Sequence, residues 1–266
     1  MGLRKPECWK REIGKRNWSM RAASVLLMIL LLLGAVKTEA QNDAGSAKNA
    51  EVVRIARATW DTGWFQTEVF RELLHELGYA TAEPRTMDNR EFYHAAARGE
   101  MDFWANGWFP SHVGFLEEPS VAGKVEAVGY EVRTGAIQGY LVDKASAETY
   151  GITKLTDFQD PQVASHFDRD GDGRADLIGC NVGWGCERVV KHHLDVCNLT
   201  TSVEHVQGDY APMMYETIER YRKGEPVFFY TWTPNWTVGV LKPGTDVVWI
   251  EMPNASEATT HTGIQG

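Results

Sequence analysis

The feature that most constrains this chain is an alternation of two hydrophobic periods along residues 51–251. Glu51 to Ala58 alternates apolar and polar residues, the pattern of a strand. Gln66 to Gly78 then carries Val69, Phe70, Leu73, Leu74 and Leu77 at helical spacing, with Gly78 as a stop. The exchange repeats: a helix over 90–99, a strand over 101–106, a strand over 138–142, helical turns over 145–150 and 154–158. It ends with stronger helices from Cys186 to Cys197 and Ala211 to Lys223, and strands from Val227 to Trp232 and Asp246 to Glu251. Strands that alternate with helices predict α/β units and a mostly parallel sheet. A length of 266 residues allows one domain or two medium lobes with real cores.

Charge divides the chain unevenly. Residues 1–40 hold eight Lys/Arg and three Asp/Glu, a net of +5; subtracting this from the whole-chain −9 leaves −14 for residues 41–266. A body this acidic is unsuited to a nucleic-acid backbone or an anionic membrane surface, so no nucleic-acid partner is expected. The basic stretch precedes an apolar run, Ala22 to Val36, too short for a stable membrane span. With Ala40 following, it reads as a secretory signal cleaved near Ala40/Gln41, with no lipidation cysteine behind it. The competing reading is an uncleaved N-terminal anchor. Residues 41–50 are a small, polar leader, expected to be mobile.

Export places Cys180, Cys186 and Cys197 in an oxidising compartment. Three cysteines allow one disulfide and one thiol left over. Cys180 and Cys186 flank a turn-rich stretch that can fold back and bring them together; Cys197 sits at helical spacing from Val189, Val190 and Leu194, as a buried thiol would. Trp108 lies in a loop after a strand, Trp184 stands between two glycines, and Trp232 ends a strand before Thr233 and Pro234. Such positions present an indole at the end of an element, where α/β folds place ligands. Converging indole faces would cage a methylated cation, which has no hydrogen to donate and is recognised by ring quadrupoles and dispersion. The plain alternative for each is a large core residue at a sheet edge. Gly185 and Cys186 open a helix, and its free N–H groups would suit a carboxylate beside Trp184. His112, four residues after Trp108, could add a donor, although a lone histidine is more often structural.

No catalytic constellation matches this in strength. Ser111 and His112 are adjacent and cannot alone pair as nucleophile and base, and His192 and His193 do not share a helix face. One metal pattern is visible: Asp168, Asp170, Asp172, Arg174 and Asp176 fall at positions 1, 3, 5, 7 and 9 of a calcium loop, with Gly173 at position 6. Position 12 is Gly179 and not the bidentate glutamate, so a solvated acidic turn stands against structural calcium. No other cofactor is called for.

Four stretches, AIQGYLVDKASAETYGITKL, HFDRDGDGRADLIGCNVGWGCE, QGDYAPMMYETIERYRKGEPVFFYTWTPNW and LKPGTDVVWIEMP, resemble the periplasmic glycine betaine/L-proline-binding proteins of ABC transporters. The resemblance covers most of residues 51–253. It implies a two-lobed periplasmic binding protein of the type II-like class, with a ligand cleft between lobes, that delivers compatible solutes to an ABC permease and its ATPase. It implies cage tryptophans at Trp108, Trp184 and Trp232, carboxylate contacts at His112, Gly185 and Cys186, and a Cys180–Cys186 disulfide. The expected layout is signal peptide 1–40, leader 41–50, lobe one 51–137, lobe two 138–245, and a return toward lobe one at 246–266. Family members continue past Gly266, so the C-terminal part of lobe one is expected to be missing, with apolar faces of that lobe left uncovered. The expected function is binding without chemistry. An exported hydrolase acting on a choline-like substrate, or a calcium-dependent sensor or structural module, are the alternatives.

Overall fold

The computed structural model describes residues 52–252. The expected signal peptide, the leader and the last part of the tail lie outside the described residues.

Two sheets organise the chain. The first is built from β1 (Ile55–Arg57), β2 (Arg85–Thr86) and β3 (Phe103–Trp104), in the order β2-β1-β3, with both pairs parallel. Helix α1 (Asp61–Glu76) connects β1 to β2, and α2 (Asn89–Ala97) connects β2 to β3. Asp88 caps α2 by accepting from the Glu91 N–H. A small core forms here from Ala56, Met87, Phe92, Tyr93, Met101, Phe115 and Val121. The short helix α3 (Val113–Leu116) closes this lobe.

Helix α1 starts five residues before the periodic pattern, because Asp61 to Phe65 holds Gly63 and no apolar stripe. Gly63 is required there: a Cβ would stand 2.6 Å from the Ala58 Cβ, so the first turn packs directly on the end of β1. Phe65, Val69 and Leu73 repeat every four residues along α1, with Leu77 just past its end, and all four are exposed.

The second sheet has five strands: β4 (Gln138–Asp143), β5 (Ala175–Ile178), β6 (Val203–Val206), β7 (Phe228–Trp232) and β8 (Val247–Ile250), in the order β6-β5-β7-β4-β8. Around it lie α4 (Lys144–Tyr150), a 3-10 turn at Leu155–Gln159, α5 (Pro161–His166), α6 (Gly185–Val196), α7 (Tyr210–Arg222) and the short α8 (Thr237–Val240). β4 is buried at all six positions, which hides any alternation. Tyr140, Leu141, Phe158, Leu177, Phe228 and Phe229 fill this larger core.

The sheets are mostly parallel, as expected, with β4 the exception: it runs antiparallel to β7 and β8, while β5 is parallel to β6 and β7. Neither neighbour of β4 is joined to it by a single strand–helix–strand unit, the connection that enforces parallel direction. Residues 247–250 pair with β4 from Tyr140↔Ile250 to Asp143↔Val247 and make the sheet's edge, and residues 253–266 of the expected return lie outside the described residues. An apolar VVWI segment gains backbone hydrogen bonds by adding to that open edge. Among the described residues, no helix is long and apolar enough to cross a membrane.

Candidate functional site

The strand ends of both lobes converge on one cleft. Trp60 follows β1 and stands just before α1, Trp108 follows β3, Trp184 precedes α6 after β5, and Trp232 is the last residue of β7. These are carboxyl ends of parallel strands, where open α/β sheets place their crevices. β4 runs the other way, so its first residue, Gln138, lies opposite Trp232 at the same edge.

All six residues expected at the ligand site line this cleft: Trp108, His112, Trp184, Gly185, Cys186 and Trp232. Trp60, Asn89, Ser111, Gln138 and Tyr230 complete its lining and were not foreseen. Trp60 had a readable signal, since it too falls between a strand and a helix. The others become visible only through strand register and loop packing.

Trp60, Trp108 and Trp184 are held by their N–H groups, whereas the buried Trp232 Nε1 has no hydrogen-bond partner among the described residues. Trp184 meets Trp60 edge to face at 5.4 Å and Trp232 at 5.9 Å. Its Nε1 donates to Thr59 Oγ1 at 2.8 Å, a bond from the second lobe to the first. Tyr210, from α7, backs both Trp184 and Trp232. Trp60 and Trp108 donate to Asn106.

The polar side of the cleft is neutral. His112 is 3% exposed, and its Nδ1 accepts from the Trp108 backbone N–H at 3.3 Å and sits 3.0 Å from the Tyr93 hydroxyl. A backbone N–H can only donate, so in the neutral ring the proton is on Nε2. Burial, helped by the charge of Arg188, pushes the imidazole down to about 3 from its ordinary 6.5, so His112 is an uncharged donor at neutral pH. Gly185 and Cys186 open α6, and the first N–H groups of a helix have no acceptor within it. Cys186 is bonded to Cys180, which ties this helix start to the end of β5. Glu187 accepts from the Gly183 N–H and closes the same loop. Cys197, at the other end of α6, is a buried free thiol that burial holds above the ordinary thiol range. The cleft as a whole offers aromatic faces and neutral donors together, a lining that can hold a small zwitterion.

The acidic loop lies apart from the cleft lining. Asp168 accepts from the Gly171 and Gly173 N–H groups, and Asp176 accepts from that of Arg169. Arg174 bridges Asp172 and Glu204 and holds the Asp172 carboxyl below its usual range. Carboxylate oxygens of Asp168, Asp170 and Asp176 lie within 4.8 Å of one another. At position 12 a Cβ on Gly179 would lie 1.9 Å from His205 Nε2, so a larger residue there requires the His205 ring to move.

Two lobes, each with its own sheet, and a cleft lined from both define a two-lobed binding protein of the periplasmic type. More narrowly, the chain belongs to the OpuAC family, the substrate-binding domain of ABC-type glycine betaine transport systems, whose profile matches residues 51–262. It is 46% identical over 189 residues to the glycine betaine/proline betaine-binding periplasmic protein of Escherichia coli K12, covering 71% of this chain and 57% of that one. It is 42% identical over 204 residues to the glycine betaine-binding periplasmic protein OusX of Dickeya dadantii 3937, covering 77% and 61%. The chain thus spans about three fifths of the length of these curated relatives. Its fold is similar to the crystal structure of the glycine betaine/L-proline-binding protein ProX of Borrelia burgdorferi, with a TM-score of 0.63, 20% identity, and 77% and 70% coverage.

Proposed function

We propose that this chain is the substrate-binding component of an ABC importer that takes up glycine betaine or a related betaine, proline betaine or proline, as an osmoprotectant. It works in the periplasm after loss of residues 1–40 and hands the ligand to a permease driven by its ATPase. The observation that carries the reading is the convergence of Trp108, Trp184 and Trp232 with His112 and the first N–H groups of α6 on one cleft. The quaternary ammonium lies among the indoles. The carboxylate accepts from His112 Nε2 and from the Gly185 and Cys186 N–H groups.

Magnitudes support such a site. Each indole contributes about 0.5–2 kcal/mol of cation–π attraction. With charge-assisted hydrogen bonds to the carboxylate, the sum reaches the roughly 8 kcal/mol of a micromolar complex. No cofactor enters the binding step, and the loop at residues 168–176 is read as a structural turn. Ligand and lobe contacts share residues, so closure and binding support each other.

The test is calorimetry of the exported protein with glycine betaine, proline betaine, choline, carnitine and proline. Micromolar binding of a betaine without turnover supports the proposal. Folded protein that gives no heat with any of them refutes it, and hydrolysis of a choline ester would favour an exported hydrolase instead.

A further inference from the structure

Trp60 and Trp108 come from different loops of the first lobe, yet their N–H groups end on one atom. Asn106 Oδ1 accepts from Trp60 Nε1 at 2.6 Å and from Trp108 Nε1 at 2.9 Å. An indole N–H only donates, so the group between the two rings must be an acceptor. Asn106 is 5% exposed and does not itself line the cleft. Its other end is spoken for as well: Nδ2 donates to Gln66 Oε1 on α1, and Gln66 Nε2 donates to Glu131 at 2.9 Å. This second bond fixes which end of the carboxamide faces the indoles. A ring whose N–H is anchored cannot turn freely about its side-chain bonds. The face that Trp108 shows to the cleft and the edge that Trp60 shows to Trp184 are therefore set together.

We propose that Asn106 is a positioning residue of the ligand site: its one carboxamide oxygen aligns the two first-lobe indoles, so that the aromatic wall is formed before a quaternary ammonium arrives. This rests on the betaine reading of the cleft. Removing the acceptor leaves the buried Trp60 N–H and the half-buried Trp108 N–H without this partner and frees both rings, so affinity falls through lost preorganisation even though no ligand contact is deleted.

Asn106→Leu reads this out, since it removes the acceptor at similar size. Calorimetry with glycine betaine should show binding weakened about tenfold or more for Asn106→Leu. In a Trp60→Phe/Trp108→Phe background, which has no indole N–H to hold, Asn106→Leu should cost less than about twofold. Parent-like affinity in Asn106→Leu, or an equal loss in both backgrounds, overturns the proposal. Should Asn106→Leu fail to fold, the 15N-labelled parent decides. The indole resonances of Trp60 and Trp108, assigned with the phenylalanine variants, should exchange slowly with solvent, and exchange at the rate of an exposed indole overturns it. If the parent gives no heat with any quaternary ligand, the proposed function fails instead, and the indole resonances still decide the role of Asn106.

Discussion

Lowering the pH from 8 to 5 should change glycine betaine affinity by no more than about twofold, because the histidine at the carboxylate end is neutral over that range in the unliganded protein. His112 keeps its Nδ1 lone pair on the Trp108 N–H and is held at about 3 by burial. A bound carboxylate would raise that value, but from so low a start linkage changes the affinity by no more than about twofold between pH 8 and 5. A histidine starting at its ordinary 6.5 and raised equally would tighten binding far more over the same range. Calorimetry at pH 8, 6 and 5 separates the two, with His112→Gln as a control that keeps a donor without a titration. A tenfold or larger gain at pH 5 that vanishes in His112→Gln would refute the neutral-donor arrangement. Stability moves in the opposite sense. The folded-state value of His112 lies below the unfolded one, so its contribution is complete above about 6.5 and is lost as the pH falls toward 3. His193, fully buried and lowered to about 4, behaves alike. Together they predict a loss of about 2 kcal/mol each between pH 8 and pH 5, measured by urea melts.

Trp184→Ala should weaken glycine betaine by about tenfold to a hundredfold, as it removes a cage face and the bond to Thr59. Proline, which has N–H donors of its own, should lose far less, and calorimetry showing equal losses would count against the aromatic cage. Reducing the Cys180–Cys186 bridge should lower stability by about 2 kcal/mol, the chain entropy of so short a loop, seen as a drop in Tm on adding dithiothreitol. Because the carboxylates of residues 168–176 are already bonded to their own backbone and to Arg174, 1 mM calcium should raise Tm by no more than about 1 °C over EDTA. A rise of about 4 °C would establish a bound ion.

Legibility followed the strength of the local period. Helices α6 and α7 were expected at Cys186–Cys197 and Ala211–Lys223, and lie at Gly185–Val196 and Tyr210–Arg222. Each carries a stripe such as Cys186, Val189, Val190, His193 and Leu194, which only one side of a helix can bury. Strands β5 and β6 gave no such signal. β5 is four residues long, buried throughout, and follows an acidic turn, so neither length nor alternation marks it. The first turn of α1 was hidden because its evidence is a close approach, Gly63 against Ala58, which exists only after folding.

The site was legible in its walls and not in its supports. A tryptophan at the end of a strand is conspicuous in sequence because it is costly to leave in a loop, which is why Trp108, Trp184 and Trp232 could be named. Asn106 could not, since its meaning lies in two indole N–H groups reaching it from sequence distances of 46 and 2. The same walls join the lobes. Trp184 is bonded to Thr59, and Trp236, just beyond Trp232, is bonded to Asp61. Residues that line the cleft, or stand beside those that do, thus also carry contacts between the two lobes, so a substitution in the wall should act on affinity and on closure at once. In the proposed complex neutral rings surround the cation and neutral donors face its carboxylate, so betaine binding should depend on salt far less than the net charge suggests.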